Sequence, residues 1–229
     1  MRKVSVIIPS FQEGDAVRGA ILSAQSAFVE PEIIVSDGSN DQATREVCDH
    51  LEVRHFVPSQ HWRSAAMNQA AFESSGEILL FLHSDSRLPV AANLLEFDCL
   101  DGVVYGGFHK RFHPNSPALE VHSQVVNLWK LDCCQEFLGD NSMFVRRVAF
   151  DQVGGYRPMR IFEDLDLSNR LAAEFRGQVR IIRVPATTSS RRFEKLGVPK
   201  TLLLMQKCRR WYAQGVPEEE ILRRYAASQ

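Results

Sequence analysis

Three apolar segments in the first 85 residues each end abruptly at acidic or small polar side chains. They span residues 4–9, 33–35 and 78–82. Apolar runs without polar alternation are typical of strands that are buried on both faces of a parallel sheet. Because ligands of open α/β sheets bind outside the carboxyl ends of such strands, the three segments together predict a polar binding site at one rim of the sheet.

The residues that follow these segments include three carboxylates, Glu13, Asp37 and Asp85. A single carboxylate after a strand is often only a helix cap, but three of them at one rim are poorly explained in that way. Carboxylates that face an anionic ligand require a metal ion between them, and hard divalent cations bind one or two carboxylates together with phosphates. Asp37 suits a different contact, since it can accept a hydrogen bond from the edge of a nucleobase.

Strand and helix signals alternate through the first hundred residues, which predicts a parallel sheet with helices on both faces. The regular alternation of strand and helix signals ends beyond Pro89, where the sequence pattern predicts strands at residues 103–112, 142–145 and 179–184. Later helices are predicted at residues 119–137, from about 164, at 202–212 and at 218–225. Without a repeat or a linker, the 229 residues predict a single domain.

Two details of this second half can be checked against the structure. Gly106 and Gly107, inside a predicted strand, indicate a bulge or a close backbone approach. The helix at residues 119–137 carries apolar residues on one side, namely Val121, Val125, Leu128 and Leu131.

Charge and cysteine content exclude several classes of protein. The net charge is −1, which does not favour nucleic acid as a partner, although residues 183–212 carry eight Lys or Arg against one Glu. Such a basic stripe indicates contact with an anion or an anionic surface. The five cysteines form no CxxC pair and predict neither a zinc site nor a disulfide framework. Without a signal peptide or an 18-residue apolar run, the predicted location is the cytoplasm.

Seven short motifs follow one another along the chain. Four lie in its first half, at residues 4–13, 35–41, 63–70 and 82–85, and three lie later, at residues 139–147, 162–166 and 188–193. In this order they resemble the motifs of family 2 glycosyltransferases with the GT-A fold. Residues 63–70 are similar to the family's Gly-Arg-Ala-x-x-Met-Asn segment and residues 82–85 to its DxD-type metal motif. Residues 139–147 are similar to its acceptor-side segment, residues 162–166 to the Glu-Asp that contains the catalytic base, and residues 188–193 to the Thr-Ser-x-Arg-Arg-Trp of a short bacterial subgroup.

The resemblance implies an α/β, Rossmann-like nucleotide-diphospho-sugar transferase fold with a mostly parallel central sheet flanked by helices. It implies a nucleotide-sugar-binding half over about residues 1–100, an acceptor and catalytic half over about 101–197, and C-terminal helices over about 198–229. The implied reaction is inverting, because an acceptor hydroxyl displaces a nucleoside diphosphate from C1 of a sugar. Uracil is the family's commonest base, so a UDP-linked donor is expected. The acceptor stays open among saccharides, lipid-linked molecules and small molecules.

The resemblance also assigns binding residues. The implied nucleotide-sugar-binding residues are Pro9, Ser10, Phe11, Glu13, Asp37, Gly38, Ser39, Arg63, Ser84 and Asp85. The implied acceptor and diphosphate contacts are Gly139, Asp140, Arg191 and Arg192. The two arginines suit bidentate contacts with the departing diphosphate, and a solvated loop is the alternative. Asp140 is either an orienting group for the acceptor or an ordinary turn residue.

Asp164 is the implied catalytic base, with Glu163 beside it. In the first turn of a helix the macrodipole favours an ionised carboxylate, while the like charge of Glu163 opposes ionisation. Without the resemblance, Glu163, Asp164 and Asp166 are better explained as caps of that helix. Positioned proton transfer accelerates such a reaction by about 10²–10⁴-fold.

Asp85 is the implied ligand of a divalent metal ion, Mn²⁺ or Mg²⁺. The sequence departs from the family pattern at two positions. His83 stands where many relatives carry the first Asp of the DxD motif, and it either points into the sheet or adds a nitrogen ligand that suits Mn²⁺ better than Mg²⁺. Phe193 replaces the Trp of residues 188–193, which keeps a stacking face but removes an indole N–H donor and bears on the identity of the acceptor.

Two other functions compete with glycosyl transfer. A nucleotidyltransferase shares the nucleotide-binding sheet but usually carries a Gly-rich, basic loop after its first strand, whereas residues 10–16 contain one Gly and no basic residue. A non-catalytic nucleotide-sugar-binding protein would use the same binding residues as the enzyme.

The predicted helix at residues 202–212 carries basic and apolar residues on imperfectly separated faces. A helix that is apolar on more than one face usually packs in the core or in an oligomer interface, such as that of a homodimer. The alternative is peripheral docking of its basic residues on an anionic bilayer, at the inner face of the membrane.

Overall fold

In the computed structural model, which describes residues 3–90 and 102–228, eight strands form one sheet. In chain order they are β1 (Val4–Ser10), β2 (Glu32–Asp37), β3 (Arg54–Phe56), β4 (Ile78–Phe81), β5 (Ser86–Arg87), β6 (Tyr105–His113), β7 (Phe144–Arg146) and β8 (Val179–Ser189). Across the sheet the order is β3-β2-β1-β4-β7-β6-β8-β5, and β7 and β5 run against the other six strands. Most strands therefore run in one direction, as predicted.

Helices pack on both faces of this sheet. They are α1 (Ala16–Ala27), α2 (Gln42–His50), α3 (Arg63–Glu73), α4 (Pro117–Val125), α5 (Arg147–Gln152), α6 (Glu163–Glu174), α7 (Arg191–Glu194), α8 (Val198–Ala213) and α9 (Glu218–Ala226). A π-helical turn (Val126–Cys133) continues α4, and a 3₁₀ turn (Gly139–Asn141) precedes β7.

The central strands are continuously apolar because both of their faces are buried. In β1, Val6 and Ile8 belong to one core cluster with α1 and α2, while Ile7 belongs to the opposite cluster with α3 and α6. Strands β1 and β2 are parallel, and their register places Ser10 opposite Asp37. The polar residues behind these strands consequently meet at one rim of the sheet, as the sequence predicts.

The second half differs from the prediction in several boundaries. Strand β8 continues to Ser189, beyond the predicted end at residue 184, because its later residues pair with the end of β6. The helix predicted at residues 119–137 ends as an α-helix at Val125 and continues as the π-helical turn. Strand β5 and the short helices α5 and α7 were not predicted, since segments of two to six residues carry little periodicity. The boundary predicted near residue 100 lies outside the described residues.

The close backbone approach predicted at Gly106 is confirmed. A Cβ atom there would overlap the carbonyl oxygen of Arg180 and the ring of Phe144. The irregularity in strand pairing lies further along β6, between Phe108 and Lys110. Gly106 therefore serves the contact between β6 and β8, and not the bulge.

The C-terminal helices use most of their apolar residues internally. Leu204 and Cys208 of α8 are buried against Ile221 of α9, and Leu202 packs on the small cluster around Phe193. This arrangement agrees with the interpretation of residues 202–212 as a core helix. None of the helices in residues 3–90 and 102–228 is long and apolar enough to cross a bilayer.

Two aspartates at helix starts provide a matched test of the fold. The side chain of Asp41 accepts hydrogen bonds from the backbone N–H groups of Ala43 and Thr44 and caps α2, whereas Asp15 precedes α1 without a capping bond. Asp41→Ala is expected to lower the free energy of unfolding by about 1 kcal/mol. Asp15→Ala is expected to change it by less than about 0.5 kcal/mol. Urea denaturation measures both values, and equal losses would contradict the capping role.

Candidate functional site

A cleft of about 190 Å³ opens at the carboxyl ends of the parallel strands β1, β2 and β4. Two lining residues, His61 and Ala66, were not predicted as binding residues, and a third, His83, was predicted only as one of two alternatives. The predicted residues that line the cleft are Pro9, Ser10, Phe11, Glu13, Gly38, Arg63, Ser84, Asp85, Arg191 and Arg192. The structure thus brings together residues that are up to about 180 positions apart in the chain.

Asp37 lies beneath the cleft wall. Its buried carboxylate accepts hydrogen bonds from the backbone N–H (3.1 Å) and hydroxyl (2.6 Å) of Ser39, and from the backbone N–H of Asp41 (2.7 Å). Ser39 Oγ in turn accepts a hydrogen bond from the backbone N–H of Gln12 at 2.8 Å. Both oxygens of Asp37 are therefore engaged in fixing the turn that presents Gly38 to the cleft. The contact with a nucleobase that was predicted for Asp37 stays a prediction, and in this structure the carboxylate is buried and bonds the turn.

Arg191 bridges two carboxylates on the cleft wall. Its guanidinium donates hydrogen bonds to both oxygens of Glu13, one of them at 2.8 Å, and lies 3.5 Å from Oδ2 of Asp85. Burial raises the pKa of Asp85 above its usual value, Arg191 opposes this shift, and Glu13 adds to it. The cleft is smaller than the roughly 300–1,000 Å³ of typical ligand pockets.

A second charged group connects the donor-side helix α3 to α6. Arg63 donates hydrogen bonds to Glu163 through Nε and to Asp164 through Nη2, the latter at 3.2 Å. Its Nη1 lies 3.3 Å from Nε2 of His83. Because a guanidinium has donors only, Nε2 of His83 is the acceptor in this contact. Glu163 and Asp164 are buried in the first turn of α6, so Arg63 is the cation that compensates them both.

The environment of this group shifts the pKa values of Asp164 and His83 in opposite directions. Burial and the charge of Glu163 raise the pKa of Asp164 to about 7, although Arg63 acts in the opposite direction. Burial and the charge of Arg63 lower the pKa of His83 to about 3. Asp164 can therefore exchange a proton near neutral pH, whereas His83 is an uncharged hydrogen-bonding group.

Gly139 provides the space in which these groups meet. A Cβ atom at this position would overlap the ring of His83 and would lie 2.6 Å from Oδ2 of Asp164.

Phe162, immediately before α6, has a φ of 61°, a left-handed conformation that is uncommon for a bulky residue. Such a conformation persists only where the surrounding structure holds it, as the packing of Phe162 on Tyr212 does here.

Lys110 of β6 is a site residue that sequence reasoning missed. It is only 2% exposed, and its ammonium donates to Oδ2 of Asp140 at 2.6 Å. Burial alone would raise the pKa of Asp140, but the charge and hydrogen bond of Lys110 bring that pKa below its usual value. A signal was present in the sequence, since Phe108, Lys110 and Phe112 alternate along one strand. A lysine between two core phenylalanines needs a buried partner.

The cleft offers two carboxylates, Glu13 and Asp85, as oxygen ligands for a cation. Within the described ranges, no group of three or more His, Cys, Asp or Glu side chains is arranged to hold a metal ion. The ring of His83 lies on the cleft wall beside Arg63. The alternative in which His83 points into the sheet is therefore wrong.

Comparison with known proteins identifies the family. Residues 5–124 match the model of the family described as Glycosyl transferase family 2, which covers more than half of the chain. The chain is also 26% identical over 208 residues to the beta-monoglucosyldiacylglycerol synthase of Synechocystis sp., a match that covers 80% of this chain and 40% of that protein. The chain therefore spans about two fifths of the length of this relative.

Solved structures share the fold at low sequence identity. S. aureus TarS superimposes with a TM-score of 0.63 at 13% identity, over 82% of this chain and 36% of that chain. Glucosyl-3-phosphoglycerate synthase from Mycobacterium tuberculosis, in complex with Mn²⁺, UDP and glucosyl-3-phosphoglycerate, superimposes with a TM-score of 0.62 at 20% identity, over 88% of this chain and 79% of that chain. Mannosyl-3-phosphoglycerate synthase from Rubrobacter xylanophilus superimposes with a TM-score of 0.62 at 16% identity, over 94% of this chain and 76% of that chain. At these identities the likeness establishes the fold alone.

The family match and the shared fold confirm the resemblance that the motifs carry. The similarity of residues 188–193 to one short subgroup stays a prediction. The chain belongs to glycosyl transferase family 2 and has the GT-A fold.

Proposed function

We propose that this chain is an inverting glycosyltransferase that transfers a sugar from a UDP-linked donor to an acceptor hydroxyl. The observation that carries the proposal is the buried carboxylate of Asp164, whose pKa of about 7 suits a general base at neutral pH. The M. tuberculosis neighbour, solved with UDP and Mn²⁺, supports a UDP donor and a divalent metal ion. Family membership favours glycosyl transfer over nucleotidyl transfer and over non-catalytic binding.

The donor nucleotide is proposed to bind between the loop after β1 and the turn after β2. Phe11 exposes 55% of its surface there and offers its ring to a base. Gly38 faces the ring of Phe11. The carbonyl oxygen of Gly38 accepts a hydrogen bond from Nδ1 of His61 at 2.6 Å. Asp37 supports this site indirectly, because it holds the turn in place through Ser39.

The acceptor is proposed to approach from the side of Asp164 and Asp140. Asp164 takes the proton of the acceptor hydroxyl as the oxygen bonds to C1 of the sugar and the bond from C1 to the diphosphate breaks. Arg63 holds Asp164 in place, and Glu163 keeps its pKa near neutrality. Asp140, which Lys110 maintains as a carboxylate, is proposed to orient the acceptor by accepting a hydrogen bond.

Asp85 and Glu13 fit a divalent cation such as Mn²⁺ or Mg²⁺. Both are carboxylates on the cleft wall, and Arg191 supplies positive charge between them in this structure. Two protein carboxylates together with phosphate oxygens form a usual ligand set for such ions. The metal ion, when bound, would neutralise charge on the leaving diphosphate. Arg191 and Arg192 are proposed as the additional diphosphate contacts.

Replacement of the proposed base separates chemistry from binding. Asp164→Asn is expected to lower kcat by about 10²–10⁴-fold while the affinity for UDP stays nearly unchanged, since the amide cannot take the proton. Asp166→Asn is the matched control on the same helix, because Asp166 pairs with Arg157 (3.0 Å) and Arg170 (2.8 Å) away from the cleft. A similar loss of kcat in both variants would contradict the assigned role. Release of UDP from a panel of UDP-sugars measures the rate.

The pH dependence of the reaction should follow the ionisation of Asp164. The base must be deprotonated, so kcat/KM is expected to fall as the pH decreases through about 7. Glu163→Gln removes the repulsion that raises this pKa and should move the acidic limb of the profile to lower pH. Glu174→Gln, at the far end of α6, should leave the limb in place. A limb that does not move in Glu163→Gln would count against Asp164 as the base.

The metal ion and the nucleotide are expected to bind together. Calorimetry should show that UDP binds at least about tenfold tighter with Mn²⁺ than in EDTA, a gain of about 1.4 kcal/mol. Asp85→Asn should remove most of this gain because one of the two carboxylates proposed to hold the cation is lost. Asp15→Asn, at an exposed position before α1, should retain it. Equal affinity of the unmodified protein with Mn²⁺ and in EDTA would refute the metal site.

A further inference from the structure

Four exposed apolar side chains form a row on the outer side of α4 and its π-helical continuation. They are spaced by four, three and one residues, as on one face of a helix, and we call them the α4 stripe: Val121 (62% exposed), Val125 (57%), Leu128 (60%) and Trp129 (63%). The opposite side of the same helix is buried through Leu119, Ser123, Asn127 and Leu131. The helix therefore has an apolar outer face in addition to the face that packs on the protein.

The C-terminal end of the α4 stripe is bordered by basic residues. Lys130 lies 3.1 Å from Glu136, which also pairs with Arg209 of α8, and Arg183 lies 3.6 Å from Asp132. The border thus carries three cations, Lys130, Arg183 and Arg209, against the two carboxylates of Asp132 and Glu136.

We propose that the α4 stripe docks on the surface of an anionic lipid bilayer. Helices that lie in a bilayer interface combine apolar side chains, often including Trp, with basic residues beside them. An anionic headgroup layer complements the excess of positive charge at the border. In a symmetric contact between two copies of the chain, the same excess would stand on both sides and oppose association.

This surface differs from the one predicted from the sequence. The apolar residues of α8 are mostly internal, so α8 contributes Arg209 to the border while α4 contributes the apolar face. The helix that bears the stripe also holds the acceptor side of the site, because the side chain of Asn127 hydrogen-bonds both backbone groups of Lys110, at 3.0 Å each. Docking would orient that side of the molecule toward lipid. The docking itself does not depend on the proposed reaction.

Co-sedimentation of the whole chain with vesicles tests the proposal without any nucleotide sugar. Binding is expected to vesicles that contain phosphatidylglycerol, weaker binding to pure phosphatidylcholine, and release in about 1 M NaCl, where the Debye length is about 3 Å. Leu128→Asp should lower the partition coefficient by about 10- to 100-fold, because the leucine no longer enters the apolar layer. Val148→Asp is the matched control, since Val148 is 78% exposed on α5, outside the stripe.

Tryptophan fluorescence locates the contact. Addition of phosphatidylglycerol vesicles should shift the emission to shorter wavelength, and the shift should be lost in Trp129→Phe and kept in Trp62→Phe, whose indole is 45% exposed before α3. Absence of binding to anionic vesicles at low salt would overturn the proposal, as would equal binding by Leu128→Asp. A dimer in sedimentation velocity that Leu128→Asp dissociates, without vesicle binding, would assign the stripe to a second copy of the chain instead. Glycosyl transfer to an acceptor could persist in each of these outcomes.

Discussion

The contact of one guanidinium with two adjacent carboxylates is the interaction on which the site depends. Glu163 and Asp164 are buried side by side, and burial of an ion costs several kcal/mol unless a partner compensates it. Arg63 supplies hydrogen bonds to both from the start of α3, across about 100 residues of chain. Burial, together with this charge, lowers the pKa of His83 and keeps the imidazole neutral. One side chain therefore joins the donor-side helix to α6 and compensates the carboxylates buried there.

Carboxylates close to one another at this site are held in different protonation states by their neighbours. Lys110 lowers the pKa of Asp140, whereas burial and Glu163 raise the pKa of Asp164 to about 7. Groups whose pKa values are pushed apart in this way divide the work of a site between binding and proton transfer. Asp140 stays anionic over the physiological range and suits a fixed hydrogen-bond acceptor. Asp164 gains and loses a proton in that range, and this difference carries the assignment of the base.

The strand pattern could be predicted because burial on both faces leaves a direct mark on β1, β2 and β4, and the rim follows from their parallel register. The orientation of the Asp37 side chain could not be predicted, because the sequence does not show that its oxygens accept hydrogen bonds from the turn that follows β2. The Lys110–Asp140 pair depends on the contact of β6 with a 3₁₀ turn, which periodicity does not report. The set of apolar residues that share one side of the helix at residues 119–137 was also predicted only in part. Val121, Val125 and Leu128 are exposed whereas Leu131 is buried, because the π-helical turn that begins at Val126 changes the phase of Leu131 relative to the two valines.

The position of Arg191 explains how an acidic rim can accept an anionic donor. Glu13 and Asp85 together carry two negative charges when ionised, and Arg191 offsets one of them. A diphosphate alone would add negative charge beside Asp85, and a divalent cation alone would compete with the guanidinium for the same oxygens. If a cation and a diphosphate were bound together as proposed, Glu13 and Asp85 would hold the cation and Arg191 would be released to the phosphates, to which a guanidinium can donate two hydrogen bonds. Every charge would then keep an opposite partner, which makes the arginine that now pairs with both carboxylates the residue best placed for the proposed diphosphate contact.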